Sequence, residues 1–299
     1  MSESHGTGPR VAFQGEPGAF SEEAVLTYFN RDAVPIPCRQ FSDVAEAVQH
    51  HECDAGLLPI ENSTVGGVSG ACDVLALSQL QITGEVICLV RHCLLARPGT
   101  AIDNVRRVLS HPVALGQCET FFRQNPHMEA VATYDTAGAA RLVAESRDPD
   151  VAAIASRTAA ERYGLAILLD DLQDRSDNQT RFLVVAARDP DRAALQASPV
   201  PAGAGKTALL LETENRPGAL AEVLQPLALH QINLTHLQAR PGRTPWSYWF
   251  FMEIAGAHAS IRAALDTLAM LPVSLHVLGH YRPWLANNQV GRRQNRSLT

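Results

Sequence analysis

The sequence predicts an α/β protein in two parts, a larger unit of alternating strands and helices followed by a small βαββαβ unit. Two observations carry this. Short apolar or β-branched runs alternate with stretches of helical apolar spacing from Arg10 to Ala187, the rhythm of a doubly wound parallel sheet. Between Arg188 and Lys206 the periodicity gives way to Pro, Ala and Gly, the composition of a linker, and a second patterned unit follows.

In the first part, Arg10 to Gly15 reads as a strand, Gly15-Glu16-Pro17-Gly18 as a turn, and Ala19 onward as a helix. Such a junction gathers free backbone N–H groups at a helix N-terminus and suits an anion. Ser21 lies in the first turn, where its hydroxyl either adds to that site or caps the helix. Val34 to Cys38 is the next strand, and the helix from Phe41 is opened by Ser42. Ala55 to Ile60 runs straight into Glu61-Asn62-Ser63-Thr64-Val65-Gly66-Gly67, so polar side chains stand at a strand's carboxyl end, where open α/β sheets bind ligands. Glu61 is either a base or an ion-pair partner, and Asn62 and Ser63 are neutral contact candidates. Gln81 to Ala96 is apolar and β-rich, and His92 on it reads as a core histidine.

Val105 to Leu109 is a strand ending at Ser110-His111-Pro112, and Ala114 to Phe122 is read as one helix carrying Gln117. Asp135 caps the alanine-rich helix to Glu145, Ser156 caps the helix through Tyr163, and Gly164 ends it. A polar loop, Asp170 to Asp177, then feeds Asn178-Gln179-Thr180-Arg181-Phe182 and the buried run Leu183 to Ala187. In the second part Thr207 to Thr213, Ile232 to Leu237, Trp249 to Ile254 and Val273 to Gly279 are strands. Helices start at Pro217 and His258, giving the βαββαβ order of a ferredoxin-like unit.

Composition narrows the function classes. With 46% hydrophobic and 19% charged residues the 299-residue chain is an ordinary globular protein of about two domains. A net charge of −6 offers no basic face for nucleic acid. The six cysteines have no metal-ligand spacing and read as small buried hydrophobes of a reducing compartment. No GxGxxG or Walker A motif supports a nucleotide cofactor, and no apolar run of about 18 residues or signal peptide points to a membrane. No cofactor, metal, nucleic acid or membrane is expected, and the cytoplasm is the expected location.

Five segments, Gly15 to Ser21, Leu58-Pro59-Ile60-Glu61-Asn62-Ser63, Leu109-Ser110-His111-Pro112, Asp135 to Ala140 and Asn178 to Phe182, occur in the order seen in the prephenate dehydratases, which almost the whole chain resembles. The second part resembles an ACT domain through Pro217-Gly218-Ala219-Leu220 and, in altered form, Gln238-Ala239-Arg240-Pro241. The resemblance implies a two-lobed, type II periplasmic-binding-protein-like catalytic domain over 9–188, with lobe 1 about 9–86 and 175–188 and lobe 2 about 87–174. It further implies a linker over 189–205, an ACT domain over 206–284 and an extension over 285–299. The stretch before Arg10 is expected to leave no room for the chorismate mutase region fused to some relatives.

The same resemblance implies loss of water and carbon dioxide from prephenate to give phenylpyruvate in phenylalanine biosynthesis. It places Thr180 at the leaving hydroxyl, Arg181 beside it as a catalytic candidate, and Ser21, Glu61, Asn62, Ser63, Ser110, Gln117 and Phe182 around the substrate. Arg181 either meets the substrate directly or pairs with Glu61 or Asp177. An allosteric phenylalanine site at Asn215, Pro217, Gly218, Ala219, Leu220, Gln238, Ala239, Arg240 and Pro241 is implied, with a homodimer or homotetramer joined through the ACT domains. That module either senses phenylalanine or only dimerises, because Gln238 and Ala239 replace the family's Glu and Ser. Two rivals stand beside this reading: an arogenate or dual cyclohexadienyl dehydratase, since Val65 replaces an acidic residue of many prephenate-specific relatives, and a non-enzymatic small-molecule binding protein.

Overall fold

A computed structural model describes residues 8–188, 204–242 and 244–284, so most of the expected linker and the whole expected extension lie outside the described residues. By internal contacts the chain divides into two compact units, residues 1–66 with 87–182 and residues 67–86 with 183–299. Each is described by itself.

The first unit holds two sheets. In one, β1 (Arg10–Gln14) pairs in parallel with β2 (Val34–Cys38) and β3 (Ala55–Asn62). The short β4 (Gly66–Gly67) pairs with β3, and β5 (Leu80–Leu89) and β11 (Gln179–Ala187), which the division of the chain cuts after Val86 and Phe182, extend the sheet in the order β2-β1-β3-β11-β5. Val11, Ala12 and Phe13 are fully buried, because a parallel strand is covered on both faces and so reads as a continuous apolar run. Helices α1 (Phe20–Phe29) and α2 (Phe41–Gln49) connect these strands. Gln40, rather than Ser42, is the N-cap of α2; its backbone N–H donates to Asp43 Oδ2 at 3.0 Å, so the acid at the third helical position holds the entry.

The second sheet contains β6 (Cys93–Ala96), β7 (Arg107–Ser110), β8 (Glu129–Ala132), β9 (Val151–Ala155) and β10 (Ala166–Leu169) in the order β10-β6-β9-β7-β8. β7 pairs in parallel with β8 and β9, whereas β6 is antiparallel to both β9 and β10. The wholly parallel sheet expected from the alternation is therefore a mixed one. The chain enters this sheet on β6, whose pairing with its neighbours needs no right-handed crossover helix.

Local capping follows the sequence closely. Asp135 Oδ1 accepts from Gly138 N at 2.8 Å and opens α6 (Thr136–Glu145). Ser156 Oγ accepts from Ala159 N at 2.9 Å and opens α7 (Arg157–Tyr163), and Gly164 closes that helix at φ +66°. The single helix expected from Ala114 to Phe122 is instead two, α4 (Pro112–Gly116) and α5 (Glu119–Gln124). The break has a visible cause: the Asp174 carboxylate accepts from Glu119 N and Thr120 N, both at 3.0 Å, while Asp174 N donates to Gln117 O at 2.7 Å. A side-chain cap from a distant loop starts a new helix and leaves Gln117 at the joint.

The second unit contains α3 (Ser69–Leu77), the strands β12 (Ala204–Thr213), β13 (Asn233–Pro241), β14 (Tyr248–Ala257) and β15 (Val273–Tyr281), and the helices α8 (Ala219–Leu229) and α9 (His258–Leu268). The sheet order β13-β14-β12-β15, all antiparallel, is that of the expected βαββαβ unit. Leu209, Leu211, Val223, Met252, Ile254 and Leu268 form its core beneath the helices. Pro217 lies one residue before the N-cap Gly218 and not inside the first turn. Gly218 adopts φ +84°, a conformation that costs glycine little. Among the described residues no helix is long and apolar enough to cross a membrane.

Candidate active site

The site is built where β3 ends and β11 begins. At the end of β3 the Asn62 side chain folds back on its own loop: Oδ1 accepts from Thr64 N at 2.9 Å, from Val65 N at 3.1 Å and from Thr64 Oγ1 at 2.6 Å. Asparagine suits this position because its short amide closes a turn with the backbone two residues on. Two backbone N–H groups can only donate, so they fix which end of the amide is oxygen. Nδ2 is thereby aimed at β11, donating to Thr180 Oγ1 at 3.0 Å and to Asn178 Oδ1 at 2.9 Å.

The Thr180 hydroxyl thus accepts a hydrogen bond and keeps its own proton, for which no acceptor is found among the described residues. Ser63 clamps the same two segments: Ser63 Oγ donates to Asp177 O at 3.0 Å and accepts from Gln179 N at 2.9 Å, while Ser63 N donates to Gln179 O at 2.9 Å. Its hydroxyl is spent on holding the loop, so Ser63 shapes the site from behind.

From the second sheet, Gln117 at the α4–α5 joint completes the arrangement. Its Nε2 donates to Thr64 Oγ1 at 2.9 Å, and its Oε1 accepts from Asn178 Nδ2 at 3.0 Å. His92 Nε2 lies 2.9 Å from the same Oε1. Thr64, Val65, Gln117, Gln173, Arg175 and Asn178 line an open cavity of about 420 Å³, within the range of small-molecule sites.

Charge is arranged more sparingly. Arg181 donates to Glu61 Oε2 at 2.7 Å, with the Arg181 side chain only 11% exposed. Of the partners open to Arg181 and Glu61, each therefore has the other, and Asp177 goes to Arg175 at 2.7 Å. The helix N-terminus after Gly18 is less available than expected, since Gly18 N donates at 2.5 Å to Glu22 Oε2, a carboxylate only 6% exposed in the first turn of α1. Ser21 lies beyond the N-cap Ala19, is half-buried, and its hydroxyl makes no hydrogen bond among the described residues.

Two further expected contacts are turned inward. Ser110 is fully buried and its Oγ donates to Ile154 O at 2.6 Å, joining β7 to the strand beside it. Phe182 is 2% exposed and packs in the core immediately after Thr180. Thr64, Asn178 and His92 belong to the network although the sequence reading did not single them out as contacts. Asn178 opens the Asn178–Phe182 segment and Thr64 directly follows Leu58–Ser63, so both were within reach of it. His92 was not, because its apolar surroundings on the strand are those of a core residue. Burial holds the His92 imidazole below its ordinary pKa, opposed by the Gln117 hydrogen bond. Burial pushes the thiols of Cys88, Cys93 and Cys118 up to about 12, which keeps them unreactive.

In the second unit, the residues expected to read an amino acid are partly engaged. Arg240 makes a two-pronged ion pair with Asp73 of α3 at 2.8 and 2.5 Å, Cys72 Sγ donates to Gln238 Oε1 at 3.3 Å, and Asn215 Nδ2 donates to Trp246 O at 3.2 Å. Ala239 is exposed, and Ala219 and Leu220 contribute to the apolar packing under α8. Pro241 lines a groove with Asp73, Leu77 and Trp249.

Comparison with known proteins extends this picture. The prephenate dehydratase family profile matches residues 11–190 and the ACT domain profile residues 207–266. An Arabidopsis thaliana protein named arogenate dehydratase/prephenate dehydratase 2 is 42% identical over 94% of this chain and 74% of its own length. A prephenate dehydratase from Arthrobacter aurescens, solved with L-Phe, superposes with a TM-score of 0.82 at 32% identity, covering 91% of this chain and 90% of the other. A solved structure described as GqqA, a novel type of quorum quenching acylase, gives 0.83 at 32% identity, covering 92% of this chain and 98% of the other.

Proposed function

The chain belongs to the prephenate dehydratase family, with an ACT domain after the catalytic region, and from that premise we propose that it converts prephenate to phenylpyruvate, water and carbon dioxide. One observation carries the proposal: Thr180 accepts from Asn62 and so has its O–H left to give. In the reaction the ring carbon–oxygen bond breaks and the ring carboxylate departs as carbon dioxide, its bonding electrons completing the aromatic ring. Hydroxide leaves against the Thr180 hydroxyl and takes up a proton from solvent to become water. A threonine is too weak an acid to protonate the oxygen in advance. It is a positioned donor whose hydrogen bond strengthens as charge builds on the departing oxygen. The Asn62 amide, donating to the same oxygen, polarises that O–H in the required direction.

Asn62, Gln117 and Asn178 form the neutral polar wall of the site. Arg181, paired with Glu61, supplies a cation beside the substrate dianion with its geometry already set. The catalytic region extends over about 9–188 and the regulatory one over about 206–284. Phenylalanine binding at the ACT domain of a homo-oligomer lowers activity, a reading supported by the family and by the L-Phe complex of the Arthrobacter protein. The chemistry is that of a cytoplasmic biosynthetic enzyme.

Arogenate is a second substrate on a specific observation. Val65 is 59% exposed, lines the cavity and brings no charge, so nothing there selects against the amino group of arogenate. An acyl-transfer reaction finds less support, because the Thr180 oxygen is bonded by an amide and not by a base that could take its proton. Incubation of the purified chain with prephenate and, separately, arogenate tests the proposal by product identity. Phenylpyruvate from prephenate is expected; absence of phenylpyruvate and phenylalanine alike would refute it.

A further inference from the structure

We propose that His92 is a positioning residue for this elimination, holding Gln117 in place and so stiffening the network of Gln117, Asn178 and Asn62 on which the Thr180 hydroxyl rests. The inference rests on the dehydratase reading above and adds a residue to it.

The argument follows the hydrogen bonds from a fixed point. Backbone N–H groups of Thr64 and Val65 set the Asn62 oxygen, so Nδ2 of Asn62 faces β11. Asn62 Nδ2 must meet an acceptor on Asn178, which sets Asn178 Oδ1 and turns its Nδ2 toward Gln117. Asn178 Nδ2 in turn requires the Gln117 oxygen at that place, leaving the Gln117 amine for Thr64 Oγ1. His92 Nε2, 2.9 Å from the same Gln117 oxygen, therefore carries a proton.

The other ring nitrogen settles the charge. Nδ1 of His92 is buried with no hydrogen-bond partner among the described residues, and the residue is 2% exposed. A second proton there would have no acceptor, so the ring is the neutral Nε2–H tautomer. It is held in that orientation by Phe20, edge-on at 5.4 Å between ring centres, and by Gln173 Oε1, which accepts from the His92 backbone N–H at 2.8 Å. A rigid, neutral imidazole is the second donor on the Gln117 oxygen beside Asn178 Nδ2, so it holds Gln117, and through it Asn178, at a fixed position behind Asn62 and Thr180. Without it the Gln117 oxygen keeps the Asn178 donor alone, and the amide network on which the Thr180 hydroxyl rests is held less stiffly.

Two substitutions separate this role from simple packing. His92→Gln keeps a donor near the Nε2 position, whereas the shorter amide of His92→Asn falls near Nδ1 and does not reach Gln117. With prephenate turnover by the wild type as reference, kcat of His92→Asn is expected to fall about 10- to 100-fold with KM little changed. His92→Gln is expected to recover most of that loss. Equal kcat in all three proteins, or equal impairment of both variants with unchanged thermal melting, overturns the inference. Absence of turnover by the wild type refutes the dehydratase reading instead. Nitrogen chemical shifts of the His92 ring in the intact protein at neutral pH give an answer that survives misfolding of either variant. The neutral Nε2–H form is expected, and an imidazolium or an Nδ1–H form overturns the proposal.

Discussion

Asn62 gives one amide hydrogen to the Thr180 oxygen at 3.0 Å and another to Asn178 at 2.9 Å, and it has no hydrogen left for a substrate. Its work is to orient. Asn62→Leu is accordingly expected to lower kcat about 10- to 100-fold while the protein stays folded. Steady-state kinetics beside a melting curve check this, and an unchanged kcat would count against it. His92 adds a pH dependence whose sign is fixed. Its pKa is lowered in the folded protein, so between that value and the ordinary 6.5 the unfolded chain binds a proton that the native one refuses. Its contribution to stability is complete above about pH 6.5 and is lost as pH falls through the window below it. Urea midpoints measured across that window should be flatter with pH for His92→Gln than for the wild type; parallel curves would contradict the assignment. Thr180 was legible in the sequence because it lies inside a quoted segment. His92 was not, since its role depends on a partner 25 positions away in the chain, at a helix break that periodicity does not reveal.

The turn between β1 and α1 shows how an element can look like one thing and serve another. Gly15-Glu16-Pro17-Gly18 has the composition of an anion-binding junction, and its Gly18 N–H is taken by Glu22. The turn instead anchors the first sheet's segment to α7: Ser156 Oγ donates to Gly18 O at 2.6 Å, and Tyr163 Oη donates to Pro17 O at 2.8 Å. Thr158 Oγ1 adds a bond to Glu23 at 2.6 Å. Gly18 adopts φ +91°, and a Cβ there would come 2.8 Å from Ala159 Cα, so both conformation and space demand glycine. Gly18→Ala should cost about 1–2 kcal/mol from conformation alone and more from the clash, read as a lower melting temperature. An unchanged melting temperature would show that the contact is not kept in solution. Strand and helix positions, the Asp135 and Ser156 caps and the Gly164 stop were readable from local chemistry. The split of α4 from α5 was not, because Asp174 imposes it from a distant loop.

For the molecule as a whole, the family and the two-part organisation stood in the sequence, since five short segments in order and a βαββαβ pattern need no coordinates. Strand direction in the second sheet did not, because antiparallel and parallel neighbours present similar apolar runs. Regulation belongs to this scale. Arg240 is held by Asp73 of α3, an ion pair that fixes the end of β13 within the second unit. Phenylalanine is expected to lower wild-type turnover and tyrosine to do so much less. Arg240→Ala should shift the phenylalanine concentration for half-inhibition by about 5-fold or more. Inhibition curves for both proteins check this; a flat wild-type response would leave the ACT domain as an assembly module alone.

The central claim is that Thr180 donates to the departing hydroxide, and single-turnover formation of phenylpyruvate from prephenate by the wild type and Thr180→Ala tests it most directly. Loss of one preorganised donor should slow the chemical step about 100- to 1,000-fold, roughly 3 kcal/mol, with prephenate binding nearly unchanged and Thr180→Ser intermediate. A Thr180→Ala protein that forms phenylpyruvate at close to the wild-type rate would contradict the account.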